Sequence, residues 1–374
     1  MNKRVVQVIT KLEFGGAQTS TLHTAEYLAR KDYEVYLFTS PGYLSKIAER
    51  LEGVSLKYFP FRREINPYYD GMTFILLWKE FLKIRPHIVH THSSKAGILG
   101  RWAAFLSRVP FIYHTIHGFP FHDYQPSFLR HFYVFLEKVT AIITSKLIAI
   151  TKEDMKKGLR EGIGRRKKYI LIRDGIDFQT WRKIKKDKER KKKELGIRER
   201  KVVGNISCFK PQKNLLDFIR MASLLNTPDT GFVIVGDGKM RREIEREIER
   251  VCLQDRFYLL GWREDVDEII QIFDVFVLTS LWEGLPKTLL EAFSAGIPVV
   301  ANAVDGVKEM VKDGFNGFLV PPKDIWTLTK RVRMLLKDEN LRKKMGRNAQ
   351  NSLSEEFELR SMMEKLDNLY QGRV

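Results

Sequence analysis

The sequence predicts an α/β protein built from two doubly wound domains, each around a parallel sheet. The chain has 374 residues, which is too long for one ordinary hydrophobic core. Short β-branched apolar runs alternate with helical patterns, as in parallel sheets whose strands are joined by helices. This alternation stops in a basic stretch at about 175–200 and restarts at Lys201. We therefore expect a domain boundary in that stretch.

The first half begins with a predicted strand at 4–10, the pair Gly15–Gly16, and a helix at about 17–30. This order is typical of nucleotide-binding α/β units, although a glycine pair alone equally fits a tight turn. Further strands are predicted at 34–39, 88–92, 111–115, 147–150 and 169–172, with helices at 72–84 and 95–106. Because ligands bind beyond the carboxyl ends of parallel strands, Gly15, residues 92–95 and His117 are expected on one rim.

In the second half, the most informative segment runs from the predicted strand 275–278 to Pro298. Gly284 allows a turn, Pro286 suits a first helical position, and Gly296 ends a helix of about ten residues. The N–H groups at 285–288 would have no helical partner, so this helix start is a predicted phosphate site. Glu283 precedes the helix and Glu291 lies inside it. Two carboxylates beside a phosphate site suit the hydroxyls of a nucleotide sugar.

The segment Glu283-Gly-Leu-Pro…Glu291 resembles the motif of the retaining, GT-B-fold glycosyltransferases known as family 4. Two glutamates at this spacing are common in proteins, but here a buried strand precedes them and Ala-Gly-Ile-Pro-Val-Val follows. The resemblance implies two Rossmann-like domains facing a central cleft. It implies an acceptor-binding domain at 1–177, a basic linker at 178–200, and a nucleotide-sugar-binding domain at 201–354. A C-terminal helix at 355–374 would cross back to the first domain.

The resemblance also implies roles for individual residues. The catalytic residues would be His117, beside the transferred sugar, and Glu283, on its hydroxyls. The donor would be bound by Gly15, Gly16, Lys213, Gly284, Leu285, Pro286, Lys287, Glu291 and Trp262, with Glu291 on the ribose. The family pairs this lysine with an arginine five residues earlier, and this chain has Cys208 there, which puts the two-cation clamp in doubt. Lys210 is a candidate substitute.

Two parts of the sequence contain residues of the types that bind metals. All eight histidines lie between His23 and His131, but no cysteine or carboxylate completes a tetrahedral zinc set around His90 and His92. Asp265 and Asp267 match the Asp-x-Asp metal motif of the other glycosyltransferase fold, yet here they open a predicted helix and better fit its dipole. We expect neither a metal nor a cofactor.

Charge is concentrated in one part of the chain. Of the net charge of +19, residues 151–201 contribute 12, with 21 basic and 9 acidic residues. Such a block attracts anionic membranes or nucleic acid, although a solvated, partly helical linker is the better account of 183–193 taken alone. The only cysteines, Cys208 and Cys252, predict no disulfide framework and a reducing compartment. No uncharged apolar run is long enough to span a membrane.

Together with these observations, the resemblance implies a metal-independent, retaining glycosyltransferase that uses a nucleotide-diphosphate sugar. UDP is preferred on family frequency, and the acceptor is expected to be a lipid-linked or cell-surface glycan. We expect the protein in the cytoplasm, at the inner face of the plasma membrane. A GT-B sugar phosphorylase or epimerase is the alternative within enzymes. A basic nucleic-acid-binding protein is disfavoured, because the charge lies in the linker and no recognition motif is evident.

Overall fold

A computed structural model describes residues 3–183, 187–225 and 227–373. The chain forms two compact units, one containing Met1–Asp174 and Arg360–Val374, the other Gly175–Leu359. Each unit has a parallel sheet with helices on both sides and its own buried apolar core. Residues 184–186 of the predicted basic linker lie outside the described residues.

Seven parallel strands form the sheet described in the first unit, in the order β3-β2-β1-β4-β5-β6-β7. The strands are β1 Lys3–Val8, β2 Tyr33–Thr39, β3 Val54–Tyr58, β4 Ile88–His92, β5 Phe111–Ile116, β6 Lys146–Ala149 and β7 Tyr169–Leu171. The helices are α1 Gly16–Ala29, α2 Ser45–Ala48, α3 Pro67–Ile84, α4 Ser94–Leu106, α5 Ser127–Ile142 and α6 Lys152–Arg160. Strand β3 was not predicted, because its half-exposed residues lack a continuous apolar run.

Six parallel strands form the sheet described in the second unit, in the order β10-β9-β8-β11-β12-β13. The strands are β8 Lys201–Ile206, β9 Thr230–Val235, β10 Phe257–Leu259, β11 Val275–Leu278, β12 Val299–Asn302 and β13 Gly317–Val320. The helices are α7 Phe178–Lys183, α8 Lys188–Glu194, α9 Leu215–Leu225, α10 Arg241–Arg250, α11 Val266–Ile269, α12 Lys287–Ala295, α13 Val307–Met310, α14 Ile325–Lys337 and α15 Glu339–Asn351.

The C-terminal helix, α16 Leu359–Gln371, packs on the first unit. Tyr33 donates its hydroxyl to Asp367 on this helix at 2.6 Å, and Lys3 donates to the Tyr370 carbonyl at 2.9 Å. The Tyr370 ring stacks on Tyr113, with 5.8 Å between ring centroids. Strand β1 therefore contacts residues from the opposite end of the chain.

The basic stretch that follows β7 and precedes β8 in the sequence is partly buried. The Lys191 side chain on α8 is 5% exposed, and its ammonium pairs with Glu194, Asp265 and Glu268. The positive charge of Lys191 is therefore neutralised inside the second unit and does not belong to a free basic surface. Among the helices described, none combines the length and the apolar content needed to cross a membrane.

Candidate functional site

Both sheets reverse their strand order at one point. In the second unit, β8 lies between β9 and β11, and β11 lies between β8 and β12. The connection after β8 therefore leads to one side of the sheet and the connection after β11 leads to the other side, which makes this position the switch point of the sheet. A crevice forms beyond the carboxyl ends of such strands, and ligands of doubly wound proteins bind there. The loop after β8 carries Lys213, and the loop after β11 carries Glu283.

Hydrogen bonds join these two loops. Thr279 donates its hydroxyl to the Lys213 carbonyl at 2.8 Å. The Leu281 N–H donates to the Gln212 carbonyl at 2.8 Å, and the Gln212 amide donates to the Trp282 carbonyl at 2.8 Å. The loops are thereby fixed at the switch point with Lys213 and Glu283 side by side.

Glu283 is held at its side chain and at its backbone. One carboxylate oxygen contacts the Lys213 ammonium and accepts a hydrogen bond from the Ser280 hydroxyl at 2.6 Å. The Glu283 N–H donates to the Asp305 carboxylate at 2.9 Å. Glu283 is only 8% exposed, so its charge needs these partners. The carboxylate is therefore fixed in place and partly neutralised.

Helix α12 follows this loop directly. It begins at Lys287 with Pro286 as its cap, one residue later than predicted, and ends at Gly296 in the left-handed conformation. Among the described residues, no protein acceptor is present for the N–H groups of Gly284, Leu285 and Thr288. Unsatisfied N–H groups and the positive end of the helix dipole make this a suitable place for a phosphate.

Glu291 lies on α12 and is partly buried. Burial raises the pKa of its carboxyl to about 7, with a smaller opposing effect from the Lys287 ammonium. Within the described parts of the chain, its carboxylate has no hydrogen-bond partner. A partly buried carboxyl group without a hydrogen-bond partner is suited to accept hydrogen bonds from a ligand's hydroxyl groups.

Trp262 follows edge strand β10 and lies beside the turn after β9. The Gly236 N–H donates to the Gly261 carbonyl at 2.8 Å, which joins the two turns. Gly236 has a φ of 131°, and an added Cβ would lie 2.1 Å from the Ser207 carbonyl oxygen. Glycine is therefore required there, and the Trp262 ring lies 3.6 Å from the same position.

Gly15, Gly16 and His117 belong to the first unit. Gly15 caps α1 and Gly16 is its first residue, beyond β1 at the switch point between β1 and β4. The Thr10 and Ser93 hydroxyls lie 2.7 Å apart and join the loops after these two strands. Gly15 and Gly16 thus lie at the carboxyl end of the sheet, as the sequence predicted.

His117 follows β5, and both of its ring nitrogens already have protein partners. Its Nδ1 lies 3.1 Å from the Asp174 carboxylate, and its Nε2 lies 3.1 Å from Nδ1 of His92. The sequence placed His92 on the rim, but its side chain points into the core, where Nε2 lies 2.8 Å from the Gln7 amide oxygen. His117 is therefore oriented by two buried neighbours.

The Asp265 carboxylate is paired with basic side chains. Its carboxylate accepts from Arg263 at 2.8 and 2.7 Å and also from the Lys191 ammonium. The Arg263 guanidinium, followed by Lys191, holds the pKa of this carboxyl well below its usual range. In the described ranges, no group of three or more His, Cys, Asp or Glu is arranged to hold a metal ion.

Sequence reasoning missed Asp305, the residue that binds the Glu283 backbone. Asp305 follows β12 within Val-Asp-Gly and has a φ of 29°, which is unusual for a residue other than glycine. A polar residue just after a buried strand was the available signal. The partner of its carboxylate became apparent only when β12 was placed beside β11.

Two family models match most of the chain. "Glycosyltransferase Family 4" matches residues 14–180, and "Glycosyl transferases group 1" matches residues 187–352. A curated relative from Escherichia coli, UDP-Gal:alpha-D-GlcNAc-diphosphoundecaprenol alpha-1,3-galactosyltransferase, is 32% identical over 363 residues, covering 95% of this chain and 93% of the relative. An N,N'-diacetylbacillosaminyl-diphospho-undecaprenol alpha-1,3-N-acetylgalactosaminyltransferase from Campylobacter jejuni is 23% identical, covering 86% of each chain.

Solved structures show the same fold. The Anabaena protein HepE, crystallised in complex with UDP and glucose, superposes with a TM-score of 0.87 at 20% sequence identity. The match covers 99% of this chain and 100% of HepE.

Proposed function

This chain belongs to the family 4 glycosyltransferases of GT-B fold, and we propose that it transfers a sugar from a UDP-sugar to a lipid-linked glycan, with retention of anomeric configuration. The observation that supports the use of a UDP-sugar as donor is the pairing of Lys213 with Glu283 beside the start of α12. One site thus offers a cation, free N–H groups and carboxylates to a ligand that has a diphosphate and hydroxyls.

The donor diphosphate would bind at the start of α12, with the Lys213 ammonium beside it. Negative charge grows on the diphosphate as the sugar leaves, so fixed donors there stabilise the transition state. We propose that Glu283 binds hydroxyls of the transferred sugar and that Glu291 binds the ribose. Gly15, Gly16 and His117 would act from the first unit. Lys210 is a candidate for the charge that the family's arginine supplies.

UDP as the nucleotide is supported by two relatives. The name of the Escherichia coli galactosyltransferase specifies UDP-Gal, and HepE was crystallised with UDP. Trp262, beside the glycine turn after β9, is the residue that we propose lies near the base.

Retention without a covalent intermediate is supported by the state of Glu283. Its carboxylate is paired with an ammonium and a hydroxyl, both of which reduce its nucleophilicity. Such a group suits hydrogen bonding to sugar hydroxyls better than attack on the anomeric carbon. We propose that the acceptor hydroxyl attacks from the face that the diphosphate leaves, and that no metal takes part.

A lipid-linked acceptor is supported by the names of both enzyme relatives, which contain diphosphoundecaprenol or diphospho-undecaprenol. The first unit also has a surface suited to an anionic membrane. On α5, exposed apolar side chains repeat at helical spacing: Phe128 is 77% exposed, Phe135 is 61% and Ile142 is 74%. We name this stripe, with Phe132, the α5 face.

Cations border the α5 face. A groove of about 650 Å³ is lined by Phe135 and Ile142 together with Lys138, Arg165 and Lys167. Apolar side chains that enter the acyl boundary, flanked by cations that attract anionic headgroups, are the usual composition of a peripheral membrane surface. We propose that the α5 face contacts the membrane in which the lipid-linked acceptor resides.

The experiment that tests this function combines donor binding and transfer. The thermal unfolding of the full chain is measured with UDP-, GDP- and ADP-sugars without added metal, and a ligand at 100 times its dissociation constant stabilises by about 2.7 kcal/mol. Transfer of labelled sugar to an undecaprenyl-diphosphate-linked N-acetylhexosamine follows, with NMR of the product's anomeric configuration. Stabilisation by a UDP-sugar alone, with transfer and retention, is expected. Inversion, or stabilisation only by another nucleotide sugar, would contradict the proposal.

A further inference from the structure

His117 is one end of a hydrogen-bonded chain that runs into the core of the first unit. Its Nδ1 faces the Asp174 carboxylate, and its Nε2 faces Nδ1 of His92. Nε2 of His92 in turn lies 2.8 Å from the side-chain amide of Gln7 on β1. Gln7, His92 and Asp174 are all at most 4% exposed, so water does not compete for these bonds.

The chain continues from Gln7 to the C-terminal helix. The other end of the Gln7 amide lies 2.9 Å from the Tyr370 hydroxyl, which also contacts Nδ1 of His90. Nε2 of His90 lies 2.7 Å from the Thr115 hydroxyl. The hydroxyl of a residue near the C-terminus is thus connected to His117 through two side chains, Gln7 and His92.

In this chain, the direction of one hydrogen bond fixes the direction of the next, because a side chain that donates at one end accepts at the other. An uncharged histidine has one N–H and one bare nitrogen. If Gln7 presents its carbonyl oxygen to His92, then His92 donates from Nε2 and its Nδ1 must accept from His117. His117 then donates from both nitrogens, to His92 and to the Asp174 carboxylate. In this arrangement the His117–Asp174 pair holds one extra proton.

Turning the Gln7 amide end for end reverses the hydrogen bonds between Nε2 of His117 and His90, whereas His117 still donates from Nδ1 to Asp174. The amide then donates to Nε2 of His92, and His92 donates to Nε2 of His117, which stays uncharged. The Tyr370 hydroxyl donates to Gln7 and accepts from His90. The amide fits both orientations, because its oxygen and nitrogen are nearly the same size. The two arrangements differ by one proton, which is exchanged with solvent.

The extra proton belongs at the His117 end. Burial lowers the pKa of His90 to about 3 and that of His92 well below its usual range. The other ionisable side chains facing the chain include His114, whose Nδ1 lies 2.9 Å from the Thr91 hydroxyl. They also include Tyr113, which stacks on Tyr370, and Tyr33, whose ring packs edge-on against Tyr370. His117, next to a carboxylate and only partly buried, is the position where positive charge is balanced.

We propose that His92, Gln7 and Tyr370 are positioning residues that decide which nitrogens of His117 carry hydrogen, and that they couple this state to the docking of the C-terminal helix. The consequence for sugar transfer rests on the proposed role of His117. The protonation of His117 itself does not depend on that role and can be measured without substrate.

The test follows His117 by NMR in the full chain labelled with ¹⁵N-histidine, with His117→Gln used to assign its signals. Tyr370→Phe leaves one end of the Gln7 amide unpaired, and an unpaired carbonyl is tolerated better than an unpaired N–H. Gln7 should therefore donate to His92, which favours uncharged His117 with hydrogen on Nδ1. The pH at which His117 becomes doubly protonated should fall by about half a unit or more.

Two further variants make the result specific. Tyr33→Phe also removes a hydroxyl that holds the C-terminal helix on the first unit, since the Tyr33 hydroxyl contacts Asp367 and Gln371. This hydroxyl is not part of the hydrogen-bonded chain. Tyr33→Phe should therefore leave the His117 titration unchanged. In its ionised form, Gln7→Glu offers only acceptors to His92, so His117 should keep both protons to a higher pH than in the wild type, the opposite of Tyr370→Phe.

An unchanged His117 titration in both Tyr370→Phe and Gln7→Glu, or an equal shift in Tyr33→Phe, would overturn the proposal. If the proposed function also holds, the pH profile of kcat/KM for Tyr370→Phe should move with the NMR titration. Absence of sugar transfer in the wild type would contradict the proposed function and leave the NMR result intact.

Discussion

The Lys213 ammonium contacts the Glu283 carboxylate across the switch point of the second sheet. Both residues are proposed to bind the donor. Because they form an ion pair, each one holds the other in position before the donor binds. An ion pair that is mostly removed from water is costly to break by deleting one partner, since the other charge is left uncompensated. If both residues bind the donor as proposed, the pair would couple binding of the diphosphate to placement of the Glu283 carboxylate.

Replacement of Lys213 should lower the stability of the protein, because Glu283 loses its counter-charge, and should also reduce transfer by the protein that remains folded. We expect Lys213→Ala to lower kcat/KM by about 100-fold or more, because a charge-assisted contact to the leaving diphosphate is lost. UDP-sugar should also stabilise the variant less than the wild type in thermal unfolding. Lys344→Ala removes an exposed lysine on α15 in the same unit and serves as the control. Equal kcat/KM for Lys213→Ala and Lys344→Ala would refute the role of Lys213.

Asp305 should act through the backbone of Glu283. Asp305→Ala removes the acceptor of the Glu283 N–H and should lower the free energy of unfolding by about 1–2 kcal/mol. We expect kcat to fall by about tenfold, as the carboxylate loses its fixed position. Asp305→Asn keeps an oxygen acceptor and should retain most of the activity. If Asn is as damaging as Ala, the charge of Asp305 matters and the hydrogen bond does not explain its role.

Glu291 should make stability depend on pH. Because burial raises its pKa to about 7 from a usual 4.5, the folded state binds more protons than the unfolded chain between these values. The free energy of unfolding should therefore fall as the pH rises from about 4.5 to 7. Glu291→Gln cannot ionise, so its free energy of unfolding should not fall in this way. At pH 8 the variant should be more stable than the wild type by about 2–3 kcal/mol.

Urea unfolding at pH 5 and pH 8 measures this difference. Glu249→Gln, at an exposed glutamate on α10, is the matched control and should differ from the wild type by the same amount at both pH values. A constant difference between Glu291→Gln and the wild type would show that Glu291 is not destabilised by its surroundings when ionised.

The α5 face should carry membrane binding. We expect Phe128→Ser/Phe135→Ser to reduce binding to vesicles with anionic lipids by about tenfold or more, since two aromatic side chains no longer enter the bilayer. Trp326→Ser removes a side chain that is 76% exposed in the second unit and should have no effect. Vesicle sedimentation at two salt concentrations separates the apolar and electrostatic contributions. Equal wild-type binding to neutral and anionic vesicles would contradict the proposed role of the cations.

The fold class, and the loop that carries the proposed donor site, could be predicted from the sequence alone. Strands such as β11 and β12 are continuous apolar runs because parallel strands are buried on both faces, and this pattern is visible without a structure. Helix α12 was equally clear, because Pro286 and Gly296 mark its two ends. Glu283 and Glu291 were predicted from one motif whose spacing is local in the chain, and Lys213 was predicted from a separate segment of the family resemblance.

Tertiary structure decided the partners of these residues. Asp305 and Glu283 are brought together by the pairing of β11 with β12, and Gln7, His92 and Tyr370 by packing of the C-terminal helix on the first sheet. His92 was expected on the rim, but its ring turns inward because the core supplies Gln7 as a partner. Lys191 was expected on a solvated linker and is buried against Asp265. Hydrogen bonds between distant segments depend on strand order and side-chain direction, which no local pattern encodes.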